Sequence, residues 1–124
     1  MSDARLDSIN LLAGHAVGCA TAFLDGRHGV EKLASNAAWL SIELMVTREP
    51  GDLAVNAILD PTRLLVIAMT HAARVTDEAR ADRWRQVMRS LSEMVRVESL
   101  ALRARGDRSS SAGFESEPRE GRRS

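Results

Sequence analysis

Residues 60–105 decide the fold of this chain, and they read DPTRLLVIAMTHAARVTDEARADRWRQVMRSLSEMVRVESLALRAR. After Pro61 the stretch contains no glycine or proline, the two residue types that most disfavour a helix interior. As one helix it would be about 67 Å long at 1.5 Å per residue. The apolar side chains of its two halves, however, point roughly 120° apart on a helical wheel. A straight helix cannot turn both stripes towards one core, so we expect a break near Thr76.

Two apolar stripes define the helices on either side of this break. The first comprises Leu65, Ala68, Met69, Ala72 and Val75, and the second comprises Trp84, Val87, Met88, Leu91, Met94, Val95 and Leu102. Thr76 can cap the second helix, because a hydroxyl oxygen accepts hydrogen bonds from free N–H groups of the first turn. The carboxylates of Asp77 and Glu78 suit the positive end of the helix dipole.

Upstream of this stretch, turn chemistry separates further helical segments. Asp60 and Pro61 combine a capping carboxylate with proline at a first helical position, which favours a helix start. Gly26 follows an apolar segment as a plausible C-terminal cap, and residues 49–52 (EPGD) predict a turn. The predicted helices are Asp7 or Ser8 to Leu24, Val30 to Arg48, a short piece from Leu53 to Leu59, 61–75 and 77–104.

The second of these helices carries two apolar stripes instead of one. Its main face comprises Val30, Leu33, Ala37, Leu40, Leu44 and Met45, and a nearly opposite stripe comprises Trp39, Ile42 and Val46. A helix with two apolar stripes must bury both or present one to a partner. Two interpretations therefore stay open for Trp39, Ile42 and Val46, which are burial in a central helix and an interface with a partner. Tryptophan is a typical anchor of such interfaces.

Composition supports an all-helical class. Apolar residues make up 44% of the chain, which is enough for a core, whereas aromatic residues make up 3% and tyrosine is absent. Residues 106–124 (GDRSSSAGFESEPREGRRS) contain no aliphatic side chain larger than alanine, and they predict a disordered polar tail. The sequence thus predicts a bundle domain over 1–105, with four main helices plus the short helix, followed by the tail.

One apolar segment near the start of the chain could form either a membrane-spanning helix or a buried helix. Residues 8–24 carry no charged side chain, but their 17 residues fall short of the ~20 that a membrane-spanning helix needs. Aspartates bracket the segment, and the seven residues before it have two acids against one base, unlike an export signal. We therefore expect a buried helix of a cytoplasmic protein without a membrane partner.

Candidate chemical groups are few. His15 and Cys19 share a helix side at a spacing of four, and His28 or His71 would have to join them to complete a metal site. A Cys–His nucleophile pair would need exposure and an orienting third group. Cys19 is the only cysteine, which excludes an intramolecular disulfide. We interpret the pair as core packing, and we predict no metal, no cofactor and no catalytic residue.

The last predicted helix carries a row of arginines. Arg85, Arg89, Arg96 and Arg103 fall within about 40° of each other on the wheel. Such a row is compatible with a solvated face, with contacts to a nucleic-acid backbone or with an acidic protein partner. Glu78, Asp82 and Glu93 dilute its charge, and the chain has 17 basic and 17 acidic residues overall.

These observations favour a non-enzymatic interaction, regulatory or adaptor protein, formed as a homodimer or bound to another protein through Trp39, Ile42 and Val46. The alternative is a nucleic-acid-binding accessory protein that uses Arg85, Arg89, Arg96 and Arg103.

Overall fold

The computed structural model describes residues 2–47 and 53–120, with side chains over 7–47 and 53–104. Within these ranges the chain forms four helices and no strand, which confirms the all-α class. The helices are α1 (Ser2–Leu24), α2 (Val30–Val46), α3 (Leu53–Arg74) and α4 (Glu78–Glu120).

Helix α1 begins earlier than predicted and ends where predicted. Its backbone is helical from Ser2, because residues 3–7 contain no glycine or proline that would interrupt it. At its C-terminus Gly26 adopts a φ of 81°, the left-handed conformation that glycine tolerates best. The Arg27 N–H then donates to the Ala22 carbonyl at 2.8 Å, and the Gly26 N–H donates to Phe23 at 3.0 Å. These two bonds form a Schellman motif and confirm Gly26 as the cap.

Helix α2 begins at Val30 as predicted and ends at Val46, two residues before the predicted end. The Thr47 hydroxyl donates to the Glu43 carbonyl at 2.8 Å and occupies one of the last free acceptors. The turn predicted at 49–52 lies outside the described residues. Four residues of the predicted main face are buried, namely Leu33, Ala37, Leu40 and Leu44. Val30 and Met45 are exposed instead, because Val30 is the first residue of the helix and Met45 lies 100° beyond Leu44 around it.

Helix α3 does not start at Asp60 and Pro61. It runs without interruption from Leu53 to Arg74, so the separate short helix is not confirmed. Buried side chains before and after the proline continue one stripe, and they include Val55, Ile58, Leu59, Leu65, Val66 and Met69. Burial of this common stripe outweighs the helix cost of Pro61, which is itself buried. Asp60 caps nothing, and its carboxylate instead accepts a hydrogen bond from Arg63 at 3.2 Å.

The predicted break between α3 and α4 is confirmed. Residues 75–77 are not helical, and α4 begins at Glu78. The cap, however, is Asp77 and not Thr76, since the Asp77 carboxylate accepts a hydrogen bond from the Arg80 N–H at 3.0 Å. The Asp77 carbonyl accepts the first helical bond, from the Ala81 N–H at 2.9 Å. An acidic side chain at this position also interacts favourably with the helix dipole.

The four helices pack around one core in an uneven arrangement. Helices α1 and α3 contact each other and both remaining helices, whereas α2 and α4 do not contact one another in the described part of the chain. Consecutive helices joined by short connections, such as 25–29 and 75–77, run antiparallel in such bundles. Helices α1 and α3 therefore form the short diagonal of the bundle, and α2 and α4 are its outer helices.

Helix α4 contributes side chains to the core along most of the length over which its side chains are described. Met88, Val95 and Leu102 of its predicted stripe are buried, and Trp84 and Leu91 are half-buried against the core. Val87 and Met94 are exposed, because they lie at the margin of the stripe. The α4 backbone continues to Glu120, through residues whose composition predicts a polar tail.

Candidate interaction surface

The outer face of α2 exposes the three residues of its second apolar stripe. Trp39 is 45% exposed, Ile42 is 59% exposed and Val46 is 74% exposed. The sequence left open whether this stripe is buried within the chain or faces a partner. In the structure the stripe is exposed, so it is not buried within this chain. The α2 helix turns its other stripe to α1 and α3, and it lies at the edge of the bundle.

This face lacks charge over more than three turns. Between Lys32 and Thr47 the only charged residue is Glu43, which is half-buried on the flank of the helix. The other exposed positions there are small or apolar, and they are Ala34, Ser35, Ala38, Trp39, Ser41, Ile42, Met45 and Val46. We call these eight residues the α2 outer face. An exposed helix face normally carries charged and polar side chains, so this one is unusual for a solvated surface.

Helix α3 extends the apolar surface on one side. Leu64 and Ile67 are exposed on α3, and a shallow groove of about 220 Å³ lies between Ile67 and α2. The groove is lined by Ser41, Leu44, Met45, Arg63, Val66 and Ile67. Its single charged group, the Arg63 guanidinium, is engaged by Asp60 and donates to the Thr47 carbonyl at 3.4 Å. The groove thus adds apolar surface to the α2 outer face.

Trp39 is oriented by a contact with α1. Its ring meets the His15 ring edge-on, with centroids 5.7 Å apart and planes at 88°. Such T-shaped pairs are favourable because the positive edge of one ring meets the negative face of the other. The contact places the indole at the boundary of α1 and α2.

The predicted arginine row is not a uniform cationic stripe. Arg85 pairs with Asp82 at 2.7 Å and with Glu78 at 3.6 Å. Arg96 pairs with Glu93 at 3.6 Å and donates to the Thr21 hydroxyl of α1 at 3.4 Å. Arg89 and Arg103 are exposed, and neither has an ion-pair partner in the described ranges. Two of the four arginines in this row, Arg85 and Arg96, are therefore already paired with carboxylates of α4.

His15 and Cys19 lie along a groove of about 750 Å³ on α1, which also includes His28, Arg27 and Arg103. No group of three histidine, cysteine or acidic side chains is close enough to hold a metal among the described residues. Burial raises the pKa of the half-buried Cys19 thiol, and nearby Lys32 lowers it by a smaller amount. A raised pKa keeps the thiol protonated at neutral pH, which makes it a poor nucleophile.

Gly14 and Gly18 face open space in this α1 groove. A methyl group added at either glycine would meet nothing within 4 Å, so no helix in the described part of the chain uses their small size for close packing.

One cluster was not predicted from the sequence. His71 of α3 stacks on Trp84 of α4, with ring centroids 4.7 Å apart and planes at 8°. The spacing of apolar residues assigned Trp84 to the core, and it gave no reason to bring His71 near it. Only the sharp turn at 75–77 brings the two rings together, because it folds the start of α4 back along the end of α3.

Helix α3 resembles a membrane-spanning helix in its length and composition. By length and composition it could cross a bilayer, and it is the single such helix in the described residues. Half of its most apolar window is buried against the other helices.

No family model matches this chain, and no curated protein or solved structure matches it either. The surfaces of the described residues are therefore the evidence that bears on function. Of these, the α2 outer face combines exposed apolar side chains, a tryptophan that packs against His15 and a lack of charge.

Proposed function

We propose that this chain is a non-enzymatic interaction protein, a regulator or adaptor, that self-associates through the α2 outer face. The observation that carries the proposal is the exposure of Trp39, Ile42 and Val46 on a helix face without charge. Exposed apolar patches of this kind mark binding surfaces, because their burial against a partner is favourable. Tryptophan anchors near the centre of an interface contribute most of its binding energy.

The size of the surface fits a modest dimer. Helix α2 has 17 residues and is about 25 Å long at 1.5 Å per residue. With the neighbouring exposed row of α3, the surface is about two helix diameters wide, or roughly 20 Å. This gives on the order of 500 Å² per subunit, below the ~800 Å² of a standard interface. A weak or moderate association is therefore the expected class.

A second copy of the chain is the partner that the uncharged α2 outer face favours, because two such faces can cover each other around a two-fold axis. A two-fold axis at Trp39 would run two α2 helices antiparallel and place Glu31 of each copy opposite Thr47 of the other, since both lie eight residues from Trp39. Arg63 lies beside Thr47, with its guanidinium donating to that carbonyl. Each end of the pair would thus bring Glu31 towards an Arg63 that is already paired with Asp60, so the uncharged turns in contact between the ends carry the association.

The alternative proposal is a nucleic-acid-binding accessory protein that uses Arg85, Arg89, Arg96 and Arg103. Its support is limited to Arg89 and Arg103, because the other two guanidiniums face acidic side chains. Salt separates the two proposals, since phosphate contacts weaken steeply between roughly 50 and 200 mM salt, whereas apolar association does not.

A cytoplasmic location without a membrane partner is part of the same proposal. The burial of half of the apolar window of α3 supports a role as a core helix.

The test is to replace Trp39 by arginine and to measure mass by sedimentation equilibrium. We expect the wild-type chain to dimerise and Trp39→Arg to raise the dissociation constant at least ~30-fold, as for an interface hot spot. Val97→Arg is the matched control, because Val97 is 51% exposed on α4, and we expect it to leave the dimer unchanged.

Circular dichroism separates loss of association from loss of folding. We expect Trp39→Arg to keep the helical content of the wild type, because the indole is outside the core. A wild-type chain that stays monomeric at about 100 µM, where even weak specific dimers form, would contradict the proposal. So would a Trp39→Arg chain that is unfolded, or a dimer that survives both Trp39→Arg and Ile42→Arg.

A further inference from the structure

A cleft of about 450 Å³ lies where the end of α3 meets the start of α4. It is lined by His71, Val75, Arg80, Arg83, Trp84 and Val87. This position is separate from the α2 outer face, because α2 and α4 share no contact in the described residues. Its volume is within the range of roughly 300–1,000 Å³ that small-molecule sites occupy.

The floor of the cleft is an aromatic surface formed by two stacked rings. The His71 and Trp84 rings are stacked nearly parallel, 4.7 Å apart, and Trp84 also packs against the core as a half-buried side chain. Val75 and Val87 complete the apolar part of the lining. A rigid aromatic and aliphatic floor offers flat apolar contact at low cost in side-chain entropy.

The two charged side chains that line the cleft, Arg80 and Arg83, are both positive. Arg80 and Arg83 are exposed, and neither guanidinium forms an ion pair with any described side chain. The carboxylates at the start of α4 and just before it are committed elsewhere, because Asp77 caps the helix and both Glu78 and Asp82 pair with Arg85. No carboxylate lines the cleft. Two unpaired guanidiniums beside an apolar floor match an anion attached to an apolar group.

We propose that this cleft binds a small aromatic anion, with a carboxylate or phosphate group on a planar ring. Arg80 and Arg83 hold the anionic group by charge-assisted hydrogen bonds. The ring of the ligand lies against Val75, Val87 and the exposed part of Trp84. The site does not depend on self-association through α2, so either activity can be lost without the other.

The test uses 1-naphthoate as the probe and the indole N–H signals of the two tryptophans as the readout, in a ¹H–¹⁵N NMR titration of the full chain. A Trp39→Phe chain identifies which signal belongs to Trp84. We expect naphthoate to shift the Trp84 signal saturably and to leave the Trp39 signal nearly unchanged. The neutral analogue 1-naphthamide has the same rings without the charge, and we expect it to bind at least ~10-fold more weakly, as loss of a charged hydrogen bond implies.

Variants assign the binding to the two arginines. We expect Arg80→Ala combined with Arg83→Ala to weaken naphthoate binding at least ~10-fold. Arg89→Ala removes an exposed arginine of α4 that does not line the cleft, and it should leave binding unchanged. Arg83→Gln alone is the gentler variant, and it should weaken binding while keeping the helical circular dichroism signal of the wild type.

Three outcomes would overturn the proposal. The first is a Trp84 signal that does not move with naphthoate, and the second is equal binding of naphthoate and naphthamide. The third is naphthoate binding that survives the double arginine variant, or that depends equally on Arg89.

Discussion

A single carboxylate determines where the longest helix of the chain begins. The Asp77 side chain accepts the Arg80 N–H at 3.0 Å and satisfies one of the free donors of the first turn of α4. The same carboxylate lies at the positive end of the helix dipole. Thr76 precedes it, and the turn leaves that side chain exposed.

We expect Asp77→Ala to lower the free energy of unfolding by about 1 kcal/mol, the usual cost of losing an N-cap side chain. Urea unfolding followed by circular dichroism measures this change. Asp77→Asn keeps a capping oxygen and should recover most of the loss. Thr76→Ala should change stability by less than about 0.5 kcal/mol, as at other exposed positions. An equal loss in Thr76→Ala and Asp77→Ala would show that the cap is not the cause.

Local signals of this kind could be predicted from the sequence when they depend only on neighbouring residues. Gly26 was predicted as a cap because a left-handed residue after an apolar helix needs no information about packing. The choice between Thr76 and Asp77 is finer. Both residues can cap a helix, and the actual position depends on how tightly the chain turns between α3 and α4.

At the scale of helices, α4 contains a matched pair of leucines with opposite environments. Leu102 is 5% exposed and belongs to the core, whereas Leu100, two residues earlier, is 63% exposed. They differ by 200° around the helix. Packing of α4 against the bundle therefore extends at least to Leu102.

We expect Leu102→Ala to cost about 2–4 kcal/mol, because it removes buried methyl groups and leaves a cavity. Leu100→Ala should cost less than about 0.5 kcal/mol, since its side chain loses little contact on replacement. Denaturant unfolding of the two variants under identical conditions makes the comparison. Similar losses in both, or no loss in Leu102→Ala, would mean that α4 does not pack as described.

How well each helix could be predicted depended on whether its apolar residues define a single face. Periodicity gave the buried row of α3 after Pro61 and the break between α3 and α4, because each of the two rows in that stretch has a single direction. It could not show that α3 continues through Pro61, since the gain comes from burial against other helices. Nor could it decide the environment of Trp39, because two stripes on one helix are compatible with both a central and an outer position.

The cleft at His71 and Trp84 illustrates the same limit for a site. The two residues are 13 apart in sequence and belong to different helices. Their stacking depends on the path of the chain through residues 75–77. A helical wheel describes one helix at a time and cannot show how that connection brings two helices together. Sites of this kind assemble from distant residues and become visible only with the packing.

At the scale of the whole molecule, charge divides between the two halves of the sequence. Residues 1–60 contain 4 basic and 8 acidic side chains, and residues 61–124 contain 13 basic and 9 acidic ones. Helix α2 belongs to the acidic half and α4 to the basic half, and they are the two outer helices of the bundle. The proposed interface and the proposed anion site therefore occupy parts of the molecule with opposite average charge.

The unequal packing of the four helices has a consequence for how the bundle opens. Release of α2 or α4 breaks contacts with two neighbours, whereas release of α1 or α3 breaks contacts with three. We expect amide hydrogens of α2 to exchange with solvent faster than those of α3, and hydrogen–deuterium exchange by mass spectrometry measures the difference. Uniform protection across α2 and α3 would contradict this ranking. Self-association through α2 would add a third neighbour to that helix, so exchange from α2 should slow as protein concentration rises, while exchange from α3 changes little.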